Sequence, residues 1–302
     1  MTKSLTACFV GLGSIGRRHL KNLVTICAER GISLSVDALR HAPSPLAADI
    51  APLIRTEYYN SEALPHYDLI FICNPSQSHY ETLCALNDKA DHFFIEKPVF
   101  TRPLSEEELR PFADEKKYYV ACPLRHTKTF AALKDFVSSH PVYSVRAICS
   151  SYLPDWRPGV DYRKLYSASK EGGGLALDLI HEFDYLISLF GIPREAVIAE
   201  NHVSHLDVES ADVVSYVATY PDKVLELHLD YFGRNAQRYC EVFSCDETVR
   251  FDFLTAVGER NESCVREIEY FLDFLNGRGP NINSVQHASS ILSHVRGCRR
   301  IA

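Results

Sequence analysis

The segment Leu5-Thr6-Ala7-Cys8-Phe9-Val10 runs without a break into Gly11-Leu12-Gly13-Ser14-Ile15-Gly16. Few folds accept a buried strand that turns at once through three spaced glycines. Beyond them Leu20, Leu23, Val24 and Cys27 recur at helical spacing, and Gly31 stands where a helix would stop. The pattern predicts strand, tight loop and helix, the opening of a dinucleotide-binding βαβ unit. Gly11 permits the turn, Gly13 lets a pyrophosphate approach the backbone, and Gly16 lets helix pack on strand. Ser14 and Ile15 carry the first free N–H groups of the helix, whose positive dipole end attracts phosphate.

The next strand is expected at Ser33–Leu39, ending beside the adenosine ribose. One register puts Leu39 there with Arg40 following, which suits a 2′-phosphate and favours NADP over NAD. A slip of two residues would put Asp37 at that point, on the same strand face, and favour NAD. Asp68–Cys73 is continuously apolar, as a central parallel strand is. Asn74-Pro75 ends it, and Ser76 or Ser78 can cap a helix running to about Asn87. His92-Phe93-Phe94-Ile95-Glu96-Lys97-Pro98 is a short buried strand that delivers a carboxylate and an ammonium at its carboxyl end, where open α/β sheets bind ligands. A Glu-rich helix after Ser105 and a strand over Tyr118–Cys122 complete a doubly wound parallel sheet within residues 1–123. Asn74, Pro75, Glu96 and Lys97 then share one strand-end crevice with the glycine loop.

From Val142 the pattern changes. Val142–Tyr152, Ala196–Ser204, Asp212–Tyr220, Val224–Phe232, Arg238–Cys245 and Thr248–Phe253 follow one another with short polar turns. Strand after strand implies a predominantly antiparallel sheet, hence an α+β domain over residues 124–302. Helices are expected at Val265–Leu275 and Val285–Arg300. An insert holds Gly172-Gly173-Gly174 and a helix over residues 175–190. On it Asp178 and His181, three apart, share a face, while Leu179, Phe183, Leu186 and Phe190 form an apolar stripe. Arg157, Arg163, Lys164 and Lys170 in the insert read either as a solvated loop or as a clamp. In the second reading they hold an acidic sugar or nucleotide-sugar, with Trp156 and Tyr162 as stacking surfaces.

A chain of 302 residues with net charge −7 disfavours nucleic acid or an anionic membrane as partner. No apolar run is long enough to span a bilayer, and Leu5–Val10 runs into glycines instead of a cleavage site. The ten cysteines are scattered and form no Cys-x-x-Cys pair, so reduced thiols in a cytoplasmic protein are expected.

With Gly11–Gly16, Glu96-Lys97-Pro98 and the glycine-led Asp178…His181…Asp184 helix in this order, the chain resembles the glucose–fructose oxidoreductase / inositol dehydrogenase / rhizopine-catabolism (Gfo/Idh/MocA) family over nearly its whole length. The resemblance implies a Rossmann domain, a second domain whose open sheet face supports a homodimer or homotetramer, and NAD(P)-linked redox chemistry on sugars or polyols. It implies that Lys97 and His181 stand beside the reacting carbon and that Asp178 orients substrate hydroxyls, with Arg125 among the substrate contacts. Tyr152–Pro158, Asp161-Tyr162-Arg163 and Tyr166-Ser167-Ala168 resemble members from nonulosonic-acid and surface-sugar pathways. One departure stands out: the family places its acid four residues before the histidine, whereas Asp178 lies three before His181. Counting back from His181 gives Leu177. Other readings on the same scaffold are a cofactor-retaining epimerase, isomerase or glycosidase, a dinucleotide-binding sensor, and a biliverdin reductase.

Overall fold

The computed structural model describes residues 4–169, 174–254 and 260–301. The chain forms two compact units: residues 1–100, 104–121 and 261–289 make one, and residues 101–103, 122–260 and 290–302 the other.

The first unit is built on β1 (Ser4–Val10), β2 (Ser33–Leu39), β3 (Thr56–Tyr58), β4 (Tyr67–Ile72), β5 (Ala90–Ile95) and β6 (Tyr118–Val120). All pairings are parallel, in the order β3-β2-β1-β4-β5-β6. The crevice at the reversal of strand order lies beyond the carboxyl ends of β1 and β4, where such sheets bind ligands. Strand β3 is absent from the sequence reading. Three residues at a sheet edge, none fully buried, leave no apolar signal to find.

Register places Phe9, Phe71, Phe94 and Tyr119 side by side across four strands. Their rings lie 4.5, 5.0 and 5.5 Å apart in succession, an aromatic ladder on one face of the sheet. Helix α1 (Ser14–Glu29) buries Leu20, Leu23, Ile26 and Cys27 and closes with Gly31 N–H on Ala28 O and Ile32 N–H on Cys27 O. Helix α2 (His79–Leu86) has no side-chain cap from Ser78, and Ser76 and Ser78 form a 3₁₀ turn instead. In α3 (Glu106–Leu109), Ser105 and Glu108 form a capping box.

A sequence boundary at residue 123 assigns the C-terminal helices to the second domain, and here the structure differs. Helix α7 (Arg260–Leu275) brings Phe271 within 5.3–6.1 Å of the rings of Phe94, Tyr119 and Phe71. Asn283 then pairs with both backbone groups of Val120, on the edge strand. The aromatic face of the first sheet needs a cover, and residues 261–289 supply it.

The second unit holds α4 (Lys128–Ser139), α5 (Leu175–Asp178), α6 (Ile180–Phe190) and most of α8 (Val285–Gly297). Its seven strands are β7 (Val142–Tyr152), β8 (Glu195–Asn201), β9 (Val213–Thr219), β10 (Val224–Asp230), β11 (Phe232–Ser244), β12 (Thr248–Asp252) and β13 (Arg299–Arg300), in the order β12-β11-β7-β10-β9-β8-β13. Most pairings are antiparallel, but β7·β10 and β8·β13 are parallel, so the sheet is mixed. Val214, Tyr216, Ala218, Leu225, Leu227 and Leu229 point inward. The outer face carries ion pairs such as Arg146–Glu226. The expected strands are present, and the expected final helix ends at Gly297 before β13.

The expected single helix over residues 175–190 is two. Leu179 departs from helical geometry (φ −97°, ψ 28°), ending α5 and starting α6. Phe183 and Leu186 still pack inward, and Glu182 makes a buried pair with Arg238 on β11 at 2.6–2.8 Å. None of the ten cysteines is in a disulfide. Among the described residues no helix is long and apolar enough to cross a membrane.

Candidate active site

The glycine loop bridges β1 and α1 against the end of β4. Gly11 has φ +90°, and a Cβ there would meet Asn74 N and Cys73 O at 2.8 Å. A Cβ on Gly16 would press into the Gly11 carbonyl oxygen. The fold itself therefore requires these two glycines. Gly13 is different: a Cβ there meets no protein atom within 4 Å. The loop leaves open space over an exposed backbone at the helix N-terminus, beside Ser14 and Ile15. A pyrophosphate fits that space, and the residues present suit a dinucleotide.

A cleft of about 470 Å³ continues from Gly11 and Leu12 past Arg17, Arg40, His41 and Ser44. Leu39 ends β2, and its carbonyl accepts from Gly11 N–H, so the register that puts Arg40 just beyond the strand is the one observed. Asp37, the competing candidate, is fully buried and receives two bonds from Arg55 and one from the Tyr67 hydroxyl. Arg40 is already engaged, with Glu57 on β3 and with both the carbonyl and hydroxyl oxygens of Ser44.

Asn74 and Pro75 follow β4, and Lys97 follows β5, so the two strand ends sit side by side. Asn74 donates to Thr82 Oγ1 at 2.8 Å, and its Oδ1 is buried without a hydrogen-bond partner among the described residues. Lys97 is half-buried. Glu96 does not face the crevice as expected. It is buried, accepting from His19 on α1 at 2.5 Å and from the Lys97 N–H at 3.2 Å. His19 escaped the sequence reading because one histidine inside an amphipathic helix carries no pattern.

His79 was missed for the same reason. Fully buried, it lies 3.1 Å from the carbonyl oxygens of Pro98 and Val99 and 3.0 Å from that of Asn74, tying the two strand ends together. Burial pulls its pKa below the ordinary imidazole value, against the opposing pull of those carbonyls and Glu96. In the unfolded chain it protonates near pH ~6.5. Below that pH the unfolded state binds more protons, so stability falls on acidification. The urea midpoint should hold above about pH 7, fall between about pH 6.5 and 5, and fall less steeply in His79→Gln. Equal slopes in both proteins would remove His79 as the source.

In the second unit the break at Leu179 removes the argument that Asp178 and His181 share a helix face. Asp178 is instead oriented by Tyr231, whose hydroxyl donates to Oδ2 at 2.9 Å. The Trp156 ring meets Tyr231 edge-on at 5.5 Å, and its Nε1–H donates to Ser151 Oγ. Arg234, also missed, lies 3.5 Å over the Tyr152 ring. His181 is half-buried at the start of α6.

Arg125 makes a buried two-point pair with Asp184 at 2.6–2.7 Å, which gives it a fixed structural partner. Arg163 is held by Asp161 and lies 3.7 Å from Asp207, while the Tyr162 hydroxyl accepts from Asp207 N–H. Arg157 is exposed. Lys170, Gly172 and Gly173 lie outside the described residues.

Residues 5–122 match the model of an oxidoreductase family with an NAD-binding Rossmann fold, GFO_IDH_MocA. The myo-inositol 2-dehydrogenase of Thermotoga maritima is 25% identical over 203 residues, covering 64% of this chain and 57% of that protein. The NADP⁺-dependent scyllo-inositol 2-dehydrogenase of Bacillus subtilis is 29% identical over 161 residues, covering 52% of this chain and 44% of its own. The matches thus span only about half the length of these relatives. The crystal structure of myo-inositol 2-dehydrogenase from Lactobacillus plantarum superposes with a TM-score of 0.80 over 98% of this chain and 96% of that one. At 19% identity that likeness is one of fold. The parallel sheet, the glycine cradle and these matches agree: residues 5–122 are similar to the NAD-binding half of the Gfo/Idh/MocA oxidoreductase family.

Proposed function

We propose that this protein is an NAD(P)-dependent dehydrogenase or reductase acting at a hydroxyl or keto carbon of a sugar or polyol. The observation that carries this reading is the glycine cradle, open over Gly13, with the Lys97 strand end two strands away in the same parallel sheet. Gly11, Gly13, Ser14, Ile15 and Gly16 would hold the pyrophosphate, and Asn74 and Pro75 would border the nicotinamide end. A bound nicotinamide supplies hydride chemistry. Lys97 takes the hydroxyl proton during oxidation and returns it during reduction, and His181 is the second unit's candidate for polarising a substrate oxygen. Within the second unit, Asp178, aimed by Tyr231, is suited to accept from a sugar hydroxyl, and the half-exposed Trp156 face to stack on a sugar ring.

Support for NADP comes from Arg40, Arg17 and His41 lining the cleft beyond β2. Glu57 and Ser44 hold the Arg40 guanidinium in place at that cleft. Fluorescence titration should find NADPH bound more tightly than NADH. Arg40→Ala should weaken NADPH by about tenfold, the loss of one charge-assisted contact, and leave NADH unchanged. Equal or tighter binding of NADH would reverse the cofactor assignment. Net formation of reduced cofactor from a panel of inositols, free sugars and nucleotide-sugars tests the reaction class. Turnover with no net reduction would defeat a dehydrogenase.

A further inference from the structure

Glu96 occupies an unusual place for a carboxylate: only 9% of the residue is exposed, at the end of a strand lined by Phe93 and Phe94. Both of its oxygens are engaged. Oε1 accepts from His19 Nε2–H at 2.5 Å, and Oε2 accepts from the backbone N–H of Lys97 at 3.2 Å. His19 belongs to α1, the helix that the glycine loop opens. Its ring lies 5.1 Å from Phe94 and 6.3 Å from Phe71, and its Nδ1 has no hydrogen-bond partner among the described residues. An apolar pair of the same volume would serve the core at least as well. Packing alone therefore does not account for a carboxylate at this place.

We propose that His19 and Glu96 are positioning residues that hold a fixed negative charge against the Lys97 turn, and that this charge sets the proton affinity of the Lys97 amine. The proposal rests on the assignment of Lys97 as the acid–base group and adds to it the device that tunes the group. Four titratable groups face Glu96: His19 from α1, His79 from α2, Cys73 at the end of β4, and Lys97 beside it. Burial pushes the Cys73 thiol well up, so it stays uncharged, and burial pulls His79 toward its neutral form. Burial also works to raise the Glu96 carboxyl, but the hydrogen bond from His19 and the charge and backbone N–H of Lys97 outweigh it and hold Glu96 ionised. Attraction between two charges is mutual, so the carboxylate favours the Lys97 ammonium in turn. That opposes the lowering expected beside an oxidised nicotinamide and keeps the amine from losing its proton too early.

The test is the titration of Lys97 itself, free of turnover. The full chain is dimethylated on lysine with ¹³C-formaldehyde, and the Lys97 resonance is identified by its loss in Lys97→Arg. Glu96→Gln should lower its midpoint by about one unit, the usual effect of removing one close opposite charge. His19→Leu should do the same, whereas His19→Gln, which can return a donor to the Nε2 position, should keep the parental midpoint. The basic limb of the pH–rate profile should move with the midpoint. A folded Glu96→Gln protein with an unmoved midpoint, even with a lower melting temperature, would overturn the proposal. Failure of the acid–base assignment shows separately, as near-parental turnover in Lys97→Ala, and leaves the titration result standing.

Discussion

Lys97→Ala is expected to bind reduced dinucleotide within about threefold of the parent while turnover falls by at least ~10²-fold, the usual contribution of a positioned acid–base group. The two effects separate because residue 97 follows β5, two strands away from the β1 end that carries the glycine cradle. Gly11, Gly13 and Gly16 take their geometry from β1, α1 and the end of β4, none of which the substitution touches. The backbone of residue 97 keeps its bond to Glu96, and His79 keeps its grip on the carbonyls of Pro98 and Val99. The substitution removes the side chain beyond Cβ and leaves these backbone contacts in place. Fluorescence titration and steady-state kinetics on one preparation measure both quantities. Near-parental turnover would take Lys97 out of the mechanism, and a large loss of binding would make it a cofactor contact first.

Gly13→Ala and Gly16→Ala should fail in different ways although they lie three residues apart. A methyl on Gly13 meets no protein atom, so the melting temperature should stay within about 1 °C, consistent with a surface substitution away from packing. In the proposed binding mode that methyl would fill the pyrophosphate's space, and dinucleotide affinity should fall by at least ~10²-fold, two units of about 1.4 kcal/mol each. A methyl on Gly16 presses into the Gly11 carbonyl and lies 3.2 Å from the Cys73 Cβ. Loop and helix must part, at a cost of about 1–3 kcal/mol or more for overpacking, and binding is lost with them. Thermal denaturation with and without NADPH separates the two cases. Undiminished binding in Gly13→Ala would mean that the cradle holds something other than a pyrophosphate.

The glycine loop was legible because its demands are local. A tight turn, a close approach and a helix start each restrict the residue at one position, and Gly11, Gly13 and Gly16 state all three. The strands of the first sheet were legible because burial on both faces leaves unbroken apolar runs at β1, β4 and β5. Strand after strand with short polar turns announced a predominantly antiparallel sheet, and β9 and β10 bury alternate residues as such a sheet does. The edge strand β3 announced nothing, and the parallel pairing of β7 with β10 depends on a long connection whose path no local pattern fixes.

The sequence by itself determined the two kinds of sheet, the dinucleotide loop and the presence of Lys97 at a strand end, since each follows from short-range steric and hydrophobic requirements. Tertiary structure alone decided the rest. It turned Glu96 inward to His19, occupied Asp37 with Arg55 and Tyr67, broke the helix at Leu179 and gave Asp178 to Tyr231. It also returned Phe271 to the first sheet. The physical reason is common to all of these. A buried polar group takes whichever partner the packed chain brings within about 3 Å, and that partner is set by distant segments meeting in space.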